Sequence, residues 1–214
     1  MTLASASRRI GLLGGSFDPP HLAHLALGRL AMQALALDEL RWLPAGAPWQ
    51  KAGRSLASAE HRLAMLALLL GDAPGQLIDG RELKRAGPSY TIDSVVALQG
   101  EWAASGQPPA EWFLIIGQDQ FARFDTWQRW RELLARVTLA VAGRAGQAPL
   151  PPPALAGLAY RWVALDLPPL AISASDIRQR CAAAQPVSAL VGEPLARYID
   201  QHQLYPPGPG LTNP

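Results

Sequence analysis

With a single cysteine, Cys181, the chain cannot form an internal disulfide, and this agrees with a reducing cytoplasm. Its apolar segments, such as LAMLALLL at 63–70, stay far below the roughly 20 residues needed to cross a bilayer, so no membrane-spanning helix is expected. The opening MTLASASRRI lacks the apolar core and small-residue cleavage site of a secretory signal, so a cytoplasmic protein is expected. Runs of one charge sign are missing too. The pI near 9.0 rests on a formal net charge of only +2, spread along the chain. Nucleic-acid binding would want a concentrated basic stripe, so neither nucleic acid nor membrane is expected as a partner. The fingerprints GxGxxG, GxxxxGK[ST] and HExxH are also absent, which removes the standard hydride-transfer, P-loop and zinc-protease patterns.

What is present is a hydrophobic content of 49% in 214 residues, enough for one sizeable α/β domain. A single domain is expected over residues 1–205, with PPGPGLTNP at 206–214 as a disordered tail. Short apolar runs at 8–15, 39–44, 111–117, 137–143 and 160–166, with a weaker one at 76–79, read as strands. Alanine- and leucine-rich segments at 21–37, 59–70, 92–105 and 127–135 lie between them and read as helices. This alternation predicts a Rossmann-like, doubly wound parallel sheet of five or six strands with helices on both faces. Ser58, Thr91 and Ser173 mark helix starts, with Asp176 at capping-box spacing from Ser173, and Pro194 can open the last helix. RAGQAPLPPPALAG at 144–157 reads as a surface connection.

The most informative stretch is GLLGGSFDPPHLAH at 11–24: a strand, two glycines, a polar turn, two prolines, then a helix start with histidines three residues apart. Gly14 and Gly15 let backbone N–H groups approach a ligand, and a helix N-terminus presents partial positive charge to phosphate. His21 and His24 at i and i+3 share one side of the first turn and point back toward the glycines. An isolated HxxH can also be a helix cap plus a core histidine, or half of a metal site. Following a glycine loop at the end of the first strand, the pair is read as donors to phosphate oxygens.

GGSFDPPHLAH resembles the HxGH-type signature of the nucleotidyltransferase superfamily, with Ala23 where the family has glycine. Ile172-Ser173-Ala174-Ser175-Asp176-Ile177-Arg178 resembles its second motif, ISxTxIR, with Ser175 keeping the hydroxyl of the threonine. RELKRAGPSYTIDSV at 81–95, FLIIGQDQF at 113–121 and FDTWQRWREL at 124–133 are similar to bacterial nicotinate mononucleotide adenylyltransferases in particular. The resemblance runs from about residue 8 to Tyr205. LPAGAPWQK at 43–51 departs from it: Ala45 and Gly46 stand where asparagines are usual and Gln50 replaces a histidine, while Lys51 is kept.

The resemblance implies transfer of AMP from ATP to nicotinate mononucleotide, giving nicotinate adenine dinucleotide and pyrophosphate, with Mg²⁺ carried by the ATP and no protein metal site. It implies His21, His24 and Arg178 as catalytic residues. Gly14, Gly15, Ser16, Phe17, Lys51, Gly117, Asp119, Ile172, Ser173 and Ser175 are implied on ATP, and Tyr90, Thr91, Trp127 and Gln128 on the nicotinate. Such a transfer depends on positioning and charge stabilisation rather than on a covalent intermediate.

Overall fold

The computed structural model describes residues 7–48, 56–143 and 147–207. Six parallel strands form the main sheet: β1 (Arg8–Gly15), β2 (Glu39–Pro44), β4 (Gln76–Ile78), β6 (Ala110–Gly117), β7 (Thr138–Ala142) and β8 (Trp162–Leu165). Their spatial order is β4-β2-β1-β6-β7-β8. Counted along the chain within this sheet, that is the Rossmann order 3-2-1-4-5-6, whose direction of winding reverses between β1 and β6.

The strands are apolar along nearly their whole length because both faces are covered. Alternation of side chains then divides them between two cores. Ile10, Leu12, Trp112, Leu114, Ile116, Leu139 and Val141 pack with α3 (Thr91–Ala104) and α5 (Trp130–Arg136) on one face. Leu13, Phe113, Ile115, Ala140 and Ala142 pack on the other with α1 (Leu22–Ala34), α2 (Ala59–Leu70), α6 (Ala174–Ala182), α7 (Ser188–Val191) and α8 (Glu193–Gln201). A short α4 (Gln118–Phe121) follows β6 directly. The sheet is thus doubly wound, as the alternation of apolar runs predicts.

Several local expectations need correction. Tyr90, not Thr91, occupies the cap position of α3, without a side-chain cap bond, and Thr91 is the first helical residue. The segment 127–135 is not one helix. A 3₁₀ turn at Phe124–Thr126 comes first, and Arg129, at φ 52°, breaks the backbone path before α5. The first helix ends at Ala34 rather than at 37. Ser58 and Ser173 do cap α2 and α6, accepting from the N–H groups of His61 at 3.3 Å and Asp176 at 3.1 Å. The Asp176 carboxylate instead accepts from Arg180. The surface connection is partly buried, because Leu155 inserts into the α3 and α5 core. Of the expected tail, residues 208–214 lie outside the described residues.

One feature was not expected: a two-stranded parallel pair, β3 (Ala47–Pro48) with β5 (Pro88–Ser89), beside the main sheet. It follows the β2 loop and carries the chain toward the start of α3. Gly46 enters this pair by donating its N–H to Ser89 Oγ at 3.1 Å. A Cβ at Gly46 would overlap the Glu82 carbonyl oxygen, so the close approach requires glycine. Gly46→Ala should therefore destabilise the protein by about 1 to 3 kcal/mol, lowering the melting temperature by roughly 5 °C. A calorimetric scan showing no shift would mean that this loop relaxes freely.

Candidate active site

The site begins where β1 ends. Leu13 pairs with Ile115 of β6, so Gly15 and Gly117, two residues further on each strand, flank the switch point at the C-terminal edge. Ligands in such sheets bind outside this edge. Beyond Gly15 the chain turns sharply. Phe17 takes a left-handed φ of 47° and buries its ring, which would meet a Cβ on Gly15 at 3.0 Å. Such strained conformations persist where surroundings over-determine them, often at sites. Asp18, 1% exposed, comes next. Its Oδ1 accepts from the Ala57 N–H at 3.2 Å and from the Tyr205 hydroxyl at 2.8 Å.

His21 is the cap residue of α1 rather than part of its first turn, and His24 is the third helical residue. The two imidazoles stack, with centroids 3.7 Å apart. His24 Nδ1 accepts the His21 backbone N–H at 3.2 Å, which leaves the ring's own N–H on Nε2. Phe17 meets the His24 ring edge-on at 5.2 Å, fixing its plane. His21 is 6% exposed and its Nδ1 is buried with no hydrogen-bond partner among the described residues. Burial pushes its pKa down from 6.5 to about 4, so at neutral pH it is an uncharged imidazole.

The second motif is joined to the first directly. Arg178, on α6, donates Nη1 to the carbonyl of Asp18 and Nη2 to Ser175 Oγ at 2.9 Å. Ser173 caps that helix and Ile172 packs against the core beneath it. Residues 160 apart in sequence thus meet at the loop that carries the histidines.

The other half of the site is linked through the β2 loop. The Ala45 N–H donates to the Gly15 carbonyl at 2.9 Å, and the Gly46 contact to Ser89 brings Tyr90 and Thr91 alongside. Arg129 Nη1 then reaches Asp93 Oδ1 at 3.2 Å, tying the Trp127 and Gln128 turn to the start of α3. Trp127 stacks one face on Phe124 at 5.2 Å, and its indole N–H is buried without a partner among the described residues. Its backbone N–H closes the turn on the Phe124 carbonyl at 3.1 Å. Gly117 caps α4, and Asp119 lies exposed in that helix's first turn rather than at its cap. Lys51 falls outside the described residues.

Residues 12–180, spanning both motifs, match the family model described as cytidylyltransferase-like. A "probable nicotinate-nucleotide adenylyltransferase" of Methylibium petroleiphilum is 50% identical over 97% of each chain. One so named in Bordetella pertussis is 46% identical over 92% of this chain and 98% of its own. The chain belongs to the nicotinate-nucleotide adenylyltransferase family. A solved Plasmodium falciparum nicotinic acid mononucleotide adenylyltransferase, complexed with NaAD, has the same fold: TM-score 0.74 at 16% identity, covering 92% of this chain and 97% of that one.

Three residues of this adenylyltransferase-family site escaped sequence reasoning. Arg62 is 3% exposed and donates to the carbonyls of Ala57, Ser16 and Ala45, at 3.1, 3.0 and 2.6 Å. It interrupts the apolar stripe Arg62, Met65, Leu66, Leu69 of α2, a pattern visible in the sequence once a buried arginine is considered. Asp18 sat inside the motif unnoticed. Tyr205 carried no local signal.

The neutral state of His21 makes stability depend on pH. The folded protein resists protonating this ring down to about 4, whereas the unfolded chain takes the proton near 6.5. Stability attached to His21 is present above the unfolded value and is lost as pH falls from 6.5 toward 4, with a slope of up to about 1.4 kcal/mol per pH unit. Denaturant melts of His21→Gln should lack that part of the acid slope. Parallel curves for the two proteins across this range would place the His21 imidazole in solvent.

Proposed function

We propose that this protein transfers AMP from ATP to nicotinate mononucleotide, forming nicotinate adenine dinucleotide and pyrophosphate, a step in NAD biosynthesis. The reading treats residues 1–205 as one catalytic domain working in the cytoplasm. Among the described residues no helix is long and apolar enough to cross a membrane. The observation that carries the reading is the bond from Arg178 to the Asp18 carbonyl, which joins the two phosphate-directed motifs.

In this mechanism a phosphate oxygen of the mononucleotide attacks the α-phosphorus of ATP in line. The new P–O bond forms as the bond to the β-phosphate oxygen breaks, and pyrophosphate leaves with the electron pair. Backbone N–H groups of Gly14, Gly15, Ser16 and Phe17 and the α1 N-terminus face the phosphates. The Nε2–H of His24 and the neutral ring of His21 donate to oxygens that gain charge. Arg178, with Ile172, Ser173 and Ser175 at the start of α6, receives the departing pyrophosphate, where a fork of donors suits paired oxygens. Gly117 and Asp119 hold the ribose, and Lys51 is assigned to the ATP phosphates.

The donor set bears on the metal. Backbone N–H groups, imidazoles and a guanidinium suit phosphate oxygens, and no cluster of three or more His, Cys, Asp or Glu exists among the described residues. Mg²⁺ carried with the ATP would supply charge neutralisation at the phosphates, whose oxygens the backbone N–H groups, His24 and Arg178 would hold.

The nicotinate is assigned to Tyr90, Thr91, Trp127 and Gln128, with the open face of the Trp127 indole against the pyridinium. Thr91 is the first residue of α3, so its N–H is one that the helix itself cannot satisfy. Because the Trp127 backbone N–H is engaged, the Thr91 and Gln128 backbone N–H groups are the donors for the carboxylate. An amide in that position would set its NH₂ against a donor, costing about 1 to 3 kcal/mol per unpaired group.

Turnover with ATP, Mg²⁺ and either mononucleotide should show kcat/KM at least about tenfold higher for the acid than for the amide. Trp127→Ala should weaken the acceptor with ATP use kept. Equal kcat/KM for acid and amide would refute this pocket. His24→Ala should lower kcat by roughly a hundredfold while the protein stays folded, and a folded variant with normal turnover would remove His24 from the chemistry.

A further inference from the structure

The C-terminal segment after α8 returns to the motif loop, and nothing in the reaction itself requires it to. Leu204 and Tyr205 pack against the α1 and α2 core, and Tyr205 holds a left-handed φ of 64°. A tyrosine adopts that conformation only where tertiary contacts compensate. Here its hydroxyl donates to Asp18 Oδ1 at 2.8 Å and lies 3.8 Å from Met65 Sδ.

We infer that Tyr205 is a positioning residue for the adenylyl transfer: its hydroxyl fixes the Asp18 carboxylate, and through it the loop that aims His21, His24 and Arg178. The two sides of Asp18 carry this argument. Its side chain faces the Tyr205 hydroxyl and the Ala57 N–H, while its main-chain carbonyl is the acceptor for the Arg178 guanidinium. Rotation of a carboxylate that lost one donor would shift the same residue's carbonyl, and with it both Arg178 and the chain entering His21. Burial and the neighbouring Asp18 push the Tyr205 pKa up, so the hydroxyl remains a proton donor throughout the working pH range.

This inference rests on the proposed adenylyl transfer, so the test begins with turnover of the unaltered protein on ATP and nicotinate mononucleotide. Tyr205→Phe, which removes only the hydroxyl, should lower kcat about tenfold, since small misplacements of oriented groups are costly in rate. KM for both substrates should change less than about twofold, the pattern of an interaction felt in the transition state. In an Asp18→Asn background the same change should cost nothing more, because Tyr205 acts through that carboxylate. The imidazole NMR signals of His21 and His24 should also move in Tyr205→Phe, a readout that needs no turnover. Absence of turnover in the unaltered protein refutes the adenylyl-transfer reading, and the imidazole signals then decide the positioning role by themselves. A folded variant with unchanged kcat, unmoved imidazole signals, equal losses in both backgrounds, or a variant that does not fold would each overturn the positioning role.

Discussion

Burying the Asp18 carboxylate at 1% exposure costs free energy that only hydrogen-bond donors and nearby positive charge can offset, and these come from distant parts of the chain. The Ala57 N–H precedes α2, the Tyr205 hydroxyl follows α8, and Arg62, whose pKa burial lowers, lies close enough for the Asp18 carboxylate to oppose that shift. Arg62 is itself nearly dry and holds the Ser16 and Ala45 carbonyls. Each group thus ties main-chain segments that are far apart in sequence to the same loop. Buried ionic groups of this kind contribute little net stability. In this fold they specify the path of the turn between Gly15 and His21.

That turn matters because of the sheet. When all strands run parallel, each strand ends on the same edge and the helices that follow begin there. The N-termini of α1 and α4 therefore open at the edge where β1 and β6 diverge, and α3 is brought in by the β3 and β5 pair. Partial positive charge gathers without lysine-rich sequence, which explains how a chain of formal net charge +2 can serve polyphosphate chemistry. The same packing desolvates His21, keeping it neutral at physiological pH. A neutral imidazole can donate toward phosphate oxygens without first releasing a proton or holding a counter-ion.

Much of this was legible from the sequence. The apolar runs at 8–15 and 39–44 have the bounds of β1 and β2, and those at 111–117, 137–143 and 160–166 lie within two residues of β6, β7 and β8, because buried parallel strands are continuous apolar runs cut off sharply by polar turns. Ser58 and Ser173 were legible because capping is local chemistry. The two-residue strands β3 and β5 were not, since two residues carry no period. The break at Arg129 was hidden because its left-handed backbone is held by ion pairs with Asp93 and Glu132. The charges of RELKRAG at 81–87 serve the fold: Arg81 pairs with Asp79 and Glu101, and Glu82 is buried against Ser94.

The candidate site divides along the same line. Residues proposed to face a ligand, such as His24 and Arg178, stand in short motifs because they must share a helix turn or a loop. The residues that hold those motifs together are scattered, because each is recruited by whichever element happens to pack behind the loop: Arg62 from α2, Ser89 from β5, Tyr205 from the segment after α8. Their partners are mostly backbone carbonyls and N–H groups, which are the same at every position and leave no trace in residue type. The departure at Ala45 and Gly46 follows from this. Ala45 and Gly46 bond through their main chains to Arg62, Gly15 and Ser89. Small side chains there allow the approach that Gly46 makes to Glu82, so the loop's place beside the glycines is secured without the asparagines usual in the family.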